Sequence, residues 1–333
     1  EGKVFIWPPY SYENEYNVRD KETVNKSLVG VEGELDIKVA DKDLKIKTDE
    51  KGMLLNISAS GGNAGLTEED KELLAKLKVG DYVNYVPTSN TMTTDTSKTG
   101  YDTAQTLTTQ SNTKWRILSI DETTGEILLT TQGATNTDTE VYLSGATGYL
   151  HGAEELNRIC KELYSNTEKG ITARSMMAED INKAVGGYDP TTYSNYGKEY
   201  TYTSGTFYTY EENGKTVTSE TPKEASSSNP VTVKYTYYGY HPISKNSIVS
   251  NILGGNWSWL ASPCVYASSS VVHFNMRDAA SSDVSDISLY YSDGSFTTPA
   301  YGVHPVVSLS SKLLDVGDES KDGTTVATAW NLK

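Results

Sequence analysis

The stretch VVHFNMRDAASSDVSDISLYYSDGSFTTPAYGVHPVV, residues 271–307, decides the fold of this chain. Apolar residues alternate with polar ones in its first part: Val272, Phe274 and Met276 against His273, Asn275 and Arg277. Because successive side chains of a strand point to opposite faces, this alternation predicts a strand with one face in the core and one displayed. The run GVHPVVSL at its end is typical of a buried terminal strand. The stretch therefore predicts a hydrophobic scaffold that carries polar side chains.

Further elements are predicted upstream of this stretch. KWRILSIDETTGEILLTTQG, residues 114–133, predicts a β-hairpin, and helices are expected at about 153–166 and 177–185. Residues 188–240 form an insertion rich in Tyr, Thr and Ser. Within it, Asn213 and Gly214 separate two alternating runs and predict a hairpin with a primed turn.

The N-terminal part predicts a separate small module. ELDIKVA, LKIKTD and MLLNISAS are typical of strands, and SGGNAG, residues 60–65, indicates a hinge. A helix is expected to begin after Thr67 as its N-cap and to stop near Gly80. We predict an α+β chain with a β-rich module at 1–62 and a main domain at 63–333.

Composition excludes several classes of partner. The net charge of −15 and the pI near 4.8 oppose binding to nucleic acid or to an anionic bilayer. No segment predicts a membrane-spanning helix, and the start at Glu1 without Met is typical of a mature or trimmed form. The 24 Tyr among many Ser, Gly and Asn residues suit a binding surface, although Tyr and Thr also suit strands.

Enzymatic and metal sites are not indicated, so we expect no catalytic residues, no cofactor and no metal. Cys160 lies at helical spacing with Leu156, Ile159 and Leu163, which predicts an inert core thiol. The histidines have neither the spacing of metal ligands nor a neighbouring nucleophile. A calcium-dependent lectin, which would use aspartates such as Asp278 and Asp283, is a minor alternative.

The blocks WLAS (259–262), HFNMR (273–277) and GVHPVVSL (302–309), preceded by KVGDYVNY, KWRILSID and ITARSMMAEDI, resemble a known family. They are similar to the C-type-lectin-fold variable proteins of diversity-generating retroelements in gut bacteria and phages. The resemblance covers about residues 77–312 and is to the branch related to the formylglycine-generating enzyme. It implies a C-type lectin-like domain whose variable region here spans about 257–310.

Diversification in that family replaces adenines of the template, mostly in Asn codons. Such a codon cannot become Lys, Glu, Gln, Met or Trp. Between Cys264 and Tyr301 the only residue of this unreachable set is Met276, which lies on the predicted core face. Apart from Met276, the residue types of this stretch are therefore those that mutation of template adenines in Asn codons can produce.

The register of the resemblance implies a set of variable, ligand-binding positions and a scaffold. The variable positions are Cys264, Tyr266, Val271, His273, Asn275, Asp278, Ala280, Asp283, Ser285, Ser288, Tyr291 and Asp293, with Phe296, Thr298 and Tyr301. The scaffold residues are Trp259, Leu260, Phe274, Leu289 and Val306. Two departures, His304 and Pro263 at positions where the family has Arg, leave the hydrogen bonding there open.

The resemblance implies an extracellular adhesin or receptor-binding protein on a bacterial surface or a phage virion. Its partner would be a macromolecule, a protein or a glycan on a cell surface, rather than nucleic acid or membrane. We expect Tyr266, Tyr291, Phe296 and Tyr301 to be the main anchors. The alternative is a pilin-like or cell-surface subunit that assembles, or is anchored, through its N-terminal strands.

Overall fold

A computed structural model describes the strands at 33–39, 42–48 and 54–60 and residues 66–333 except 188, 190, 191 and 240. The predicted hinge after Ser60 lies outside the described residues. The chain divides into two units, Glu1–Glu69 and Asp70–Lys333. The described residues contain more strand than helix, and the protein is of the α+β class.

The smaller unit contains one antiparallel sheet. Its strands are β1 (Gly33–Val39), β2 (Lys42–Thr48) and β3 (Leu54–Ser60), in the order β1-β2-β3. These bounds confirm the strands predicted from ELDIKVA, LKIKTD and MLLNISAS. The next helix, α1 (Glu68–Leu74), stops well before Gly80, because two i→i−3 hydrogen bonds close its end as a tighter turn.

The larger unit contains the remaining elements. In its first half these are β4 (Tyr82–Asn84), β5 (Thr91–Thr93), α2 (Thr96–Thr99), β6 (Thr106–Thr108), β7 (Trp115–Ile120), β8 (Glu126–Thr131), β9 (Val141–Tyr142), α3 (Gly145–Tyr164), β10 (Ala173–Ser175) and α4 (Ala178–Ala184). In its second half they are β11 (Glu199–Tyr202), β12 (Thr206–Glu212), β13 (Lys215–Glu224), β14 (Val231–Lys234), a 3₁₀ helix (His241–Lys245), α5 (Ser247–Leu253), β15 (Ser258–Ala267), β16 (Val272–Ala280), β17 (Asp283–Tyr291), β18 (Ala300–Val303), β19 (Pro305–Ser310), a 3₁₀ helix (Ser311–Leu313), β20 (Leu314–Asp315) and β21 (Trp330–Leu332).

The first large sheet has seven strands in the order β10-β19-β8-β7-β4-β21-β20. Its β7–β8 ladder confirms the hairpin predicted from KWRILSIDETTGEILLTTQG. Strand β19, from GVHPVVSL, lies between β10 and β8, and its residues Val306 and Val307 are fully buried. The predicted burial of this strand is therefore confirmed, but it is not terminal, since β20 and β21 follow it in the chain.

The second large sheet has five strands in the order β17-β16-β15-β18-β9, and helix α3 packs across one of its faces. The helix directs Leu156, Ile159, Cys160 and Leu163 into the core, where each is fully buried. Burial raises the pKa of the Cys160 thiol, so the thiol stays protonated and inert as predicted. This sheet carries every variable position inferred from the sequence in its strands or in the turns that join them.

Helix α3 begins at Gly145, earlier than the residue near 153 that the apolar period predicts. Its first turns contain Gly145, Gly148 and Gly152, which lower helix propensity but permit close packing. A Cβ on Gly148 would lie 2.9 Å from the carbonyl oxygen of Thr99, and one on Gly152 would lie 3.0 Å from Cδ1 of Leu143. The glycines therefore bring the helix close to its neighbours.

Replacing Gly148 by Ala is expected to destabilise the protein by about 1–3 kcal/mol, because the new methyl group meets a backbone atom. Helix propensity alone predicts the opposite sign by about 1 kcal/mol. Urea unfolding measures the change, with Lys161→Ala on the exposed side of the same helix as the control. A Gly148→Ala variant as stable as the wild type would contradict the close approach.

The insertion forms two antiparallel ladders, β11–β14 and β12–β13. Asn213 and Gly214 join β12 to β13 with φ of 53° and 73°, which confirms the predicted primed turn. The insertion packs on helix α3 and on the end of β17. The hydroxyl of Tyr149 on α3 lies 2.8 Å from Oγ1 of Thr209, and Thr206 N–H donates to the carbonyl of Ser292, which follows β17. Among the described residues, no helix combines the length and apolar character that crossing a bilayer requires.

Candidate ligand-binding surface

The inferred variable positions differ widely in exposure. Those that are exposed are Tyr266, Asp293, Phe296 and Thr298. Those that are half-buried are Val271, His273, Asp283, Ser285, Ser288, Tyr291 and Tyr301. Those that are buried are Cys264, Asn275, Asp278 and Ala280. For this last group, the expectation of a displayed side chain is wrong.

Several aromatic side chains lie side by side across strands β15, β16 and β17 of the second sheet. Tyr266 on β15 pairs with His273 on β16, and His273 pairs with Tyr291 on β17. Their ring centroids are 5.2 Å and 4.7 Å apart. Tyr235, which follows β14, continues the series at 5.5 Å from Tyr266, and Tyr237 lies 6.5 Å from Tyr266. We call these five side chains the aromatic row.

Sequence reasoning missed Tyr235 and Tyr237, which belong to the insertion. The backbone N–H groups of Thr236 and Tyr237 both donate to the carbonyl of Val265, at 2.9 and 3.1 Å. Val265 N–H in turn donates to Oγ1 of Thr236 at 2.8 Å. These bonds fix residues 235–238 against β15. The signal in the sequence was the run YTYY, directly after an alternating strand.

The same segment explains why Asn275 and Arg277 are buried. Both alternate with the core residues Phe274 and Met276, as predicted, but residues 235–238 cover the face on which they lie. The Arg277 guanidinium donates to the carbonyls of Thr236 and Tyr238 at 3.2 Å each and lies 4.2 Å from the ring centre of Tyr238. The predicted alternation of β16 is therefore correct, but residues 235–238 cover the face that was expected to be exposed.

A polar cluster lies under this layer. Asn275 Nδ2 donates to Asp286, and Tyr237 also hydrogen bonds to Asp286. Burial raises the pKa of Asp286, an effect opposed by these hydrogen bonds and by Arg277. Burial also raises the pKa of the neighbouring Cys264 thiol to about 12, despite the charge of Arg277. Cys264 is therefore an unreactive, covered residue in this structure.

His273 is the polar centre of the aromatic row. Its Nδ1 lies 3.0 Å from the hydroxyl oxygen of Ser288 on β17. Partial burial lowers the pKa of His273, while the carboxylates of Asp286 and Asp293 act in the opposite direction. The exposed Asp293 accepts hydrogen bonds from the Ser295 hydroxyl at 2.6 Å and from its N–H at 2.9 Å, which lower the pKa of its carboxyl. The row thus ends beside an exposed negative charge.

Asp278 and Ala280 are buried for a different reason. By strand alternation they lie on the face of β16 that carries Phe274 and Met276. Asp278 pairs with Trp259 across the ladder, and its Oδ1 is among the buried oxygens without a hydrogen-bond partner. Burial, with the charges of Asp286 and Asp283, raises the pKa of Asp278 to about 8. The side chain is therefore largely protonated at neutral pH.

Other inferred positions lie away from the aromatic row. Asp283 begins β17 opposite Ala280, at the other end of the strand from Tyr291. Phe296 is 63% exposed and lies near Gly145 at the start of α3. The hydroxyl of Thr298 lies 2.7 Å from that of Ser144 in the same region. Tyr301 packs on Trp259 with ring centroids 4.8 Å apart. The full set therefore does not form one contact face, whereas Tyr266, His273, Ser288, Tyr291 and Asp293 lie together.

The two departures from the family pattern are accommodated in different ways. His304 is fully buried, and its Nε2–H donates to the carbonyl of Thr131 at 3.0 Å. Its Nδ1 then accepts from the Ser258 hydroxyl at 3.1 Å. Burial lowers the pKa of His304 to about 4, so a neutral ring stands at this site. Pro263 is exposed at an irregularity between β15 and β16.

Several pockets among the described residues lie outside the inferred set. One of about 490 Å³ is lined by Met177, Glu179, Tyr196, Pro263 and Arg277, among others. A more polar one of about 770 Å³ is lined mainly by side chains and glycines of the loops after β6, β8 and α5. Within the described residues, no group of three or more His, Cys, Asp or Glu side chains is arranged to hold a metal ion. Both cysteines are free thiols and buried.

Comparison with known proteins adds no further constraint. No protein-family model, no curated protein and no solved structure matches the chain.

Proposed function

We propose that this protein is a ligand-binding protein, an adhesin or receptor-binding protein, that displays a retroelement-diversified surface on a C-type lectin-like scaffold. The observation that carries the proposal is the position of Tyr266, His273 and Tyr291, which are register neighbours on three adjacent strands. All three come from the inferred variable set. Their backbone is held by fully buried neighbours such as Val272 and Phe274.

The physical basis is a division between two sets of side chains. The buried residues fix the strands, and exchanging half-exposed ones beside them costs little stability. A few aromatic side chains supply most of the free energy of binding in many interfaces. Helix α3 packed across the second sheet and the interior strand β19 support the lectin-like scaffold. The contact surface we propose is centred on Tyr266, His273, Ser288, Tyr291 and Asp293.

The gene offers a direct test of diversification. A near-identical copy of the segment encoding residues 257–310, with adenines at the codons of the inferred positions and beside a reverse transcriptase gene, is the expected finding. Adenine-directed differences confined to the codons of core residues such as Phe274 would contradict the proposal. So would a genome that contains no such copy.

A substitution at Tyr291 tests the contact surface. Peptides selected from a random display library on the wild-type chain are the probe. Tyr291→Ala is expected to weaken binding of peptides that use this surface about 10-fold or more. Unfolding in urea should change by only about 0.5–1 kcal/mol, because the ring is half-buried.

Tyr101→Ala is the matched control, since Tyr101 is also half-buried but stacks on Tyr142 of β9, a strand at the opposite edge of the sheet. Binding that falls equally in both variants would argue against the surface. A large loss of stability in Tyr291→Ala would place Tyr291 in the scaffold instead.

A further inference from the structure

We propose that the aromatic row binds a lysine- or arginine-bearing segment of a protein partner. The inference rests on the proposed function and names the class of partner for that surface. It also assigns a role in binding to Tyr237, which is half-buried and lies in the insertion rather than in the inferred variable region. Tyr235 packs against Tyr266 but is buried.

The geometry of the rings suits a cation. Neighbouring rings of the row are inclined at 49° to 64°, so none covers the face of the next by parallel stacking. A cation within about 6 Å of a tyrosine ring centre is attracted to the negative face of the ring. Among the described residues, no Lys or Arg lies over Tyr266 or Tyr291.

Local charge favours the same partner. Between residues 257 and 310, apart from the largely protonated Asp278, the Asp, Glu, Lys and Arg side chains are three aspartates, at 283, 286 and 293, and one arginine, Arg277. Asp293 is exposed at the end of the row, and Asp286 lies beneath it in contact with Tyr237. The net charge of the chain, −15, adds a long-range field of the same sign. A basic segment is therefore attracted and an acidic one repelled.

The chain already places cations on tyrosine rings beneath this surface and elsewhere in the insertion. The guanidinium carbon of Arg277 lies 4.2 Å from the ring centre of Tyr238 and 6.0 Å from that of Tyr237. In the insertion, Lys223 Nζ lies 4.2 Å from the ring centre of Tyr210. A partner's Lys or Arg would make the same contact with the exposed part of the row.

The test uses the full chain and three labelled peptides of equal length, with alternating Lys-Gly, Ser-Gly and Glu-Gly. Fluorescence anisotropy at low ionic strength is expected to rank them Lys above Ser above Glu. Tyr266→Leu, which removes the ring but keeps apolar area, should lower the affinity for the Lys-Gly peptide about 3- to 10-fold. Tyr266→Phe, which keeps the ring, should change its affinity less than about 2-fold. Tyr101→Leu is the control for a general loss of binding.

Several outcomes would overturn the inference. One is a Lys-Gly peptide that does not bind or that binds no better than the Ser-Gly peptide. Another is a Tyr266→Leu variant that retains wild-type affinity, or a loss that Tyr101→Leu shares. If library-selected neutral peptides still depend on Tyr291, the proposed contact surface stands while the basic partner is excluded. If the gene lacks a template copy, diversification fails and the peptide measurements still decide the present inference.

Discussion

Phe274→Ala is expected to cost about 3–5 kcal/mol of the free energy of unfolding, the largest change predicted for a single side chain here. Phe274 is fully buried, and its ring lies near those of Tyr149, Tyr208 and Tyr290, at centroid distances of 5.1, 6.3 and 6.2 Å. These rings belong to helix α3, the insertion and β17. One cavity would therefore weaken the contacts among three parts of the larger unit.

The matched control is Tyr266→Ala, only one register pair away in the same ladder. Because Tyr266 is 38% exposed, its loss should cost no more than about 1 kcal/mol. Urea titrations followed by tryptophan fluorescence compare the two variants directly. Similar costs for both substitutions would contradict the division between scaffold and contact residues.

Asp278→Asn is expected to stabilise the protein at neutral pH, by on the order of 2–4 kcal/mol. The pKa of Asp278 is about 8 in the folded protein and close to the ordinary value of 3.8 in the unfolded chain. The folded protein thus holds a proton that the unfolded chain releases, so the wild type loses stability as pH rises from about 4 to 8. Asn does not titrate and avoids this loss.

The pH dependence separates Asp278 from His304. The pKa of His304 is lowered from 6.5 to about 4, so its contribution is present above pH 6.5 and is lost as pH falls toward 4. In the wild type the two effects oppose each other between pH 4 and 6.5. Asp278→Asn removes the Asp278 effect, while Asp286 and His273, whose pKa values are also shifted, are present in both proteins. Stability of the variant should therefore change with pH more in the direction of a rise than that of the wild type across that interval.

Urea midpoints measured from pH 4 to 8.5 test this expectation, since the difference between variant and wild type should grow with pH. Hydrogen bonds lower the pKa of exposed carboxyls such as those of Asp95 and Asp121, and these groups are the same in both proteins, so they cancel in the difference. A difference that is constant with pH would show that Asp278 is ionised in the folded protein.

Much of the fold could be predicted from local patterns. The β7–β8 hairpin, the turn at Asn213 and Gly214 and the burial of Phe274 and Met276 follow from alternation and turn chemistry, which act over a few residues. The start of α3 could not be predicted, because Gly148 and Gly152 lower the local helix propensity. Glycine is required at these positions by the close approach of neighbouring atoms, which the sequence does not reveal. Propensity yields to packing at such positions.

The candidate site was predictable only in part, for a related reason. Alternation assigns Asn275 and Arg277 to the face opposite the core, but it does not reveal what else packs on that face. The covering layer comes from residues 235–238, distant in sequence, whose tyrosines are equally compatible with an ordinary strand. Exposure of Tyr266 was therefore correctly expected, Tyr291 is only half-buried, and the expected exposure of Cys264 and Asn275 is wrong.

The segment at 235–238 also affects how mutations beneath it would act. A bulkier residue in place of Cys264 or Asn275 could reach no ligand, but it would push the overlying backbone outward and tilt Tyr235 and Tyr237. Such changes would alter binding indirectly, by changing the shape of the aromatic row that contacts the partner. A survey of sequence variants should accordingly find small side chains at these two positions, and any larger one accompanied by a compensating change within the YTYY run.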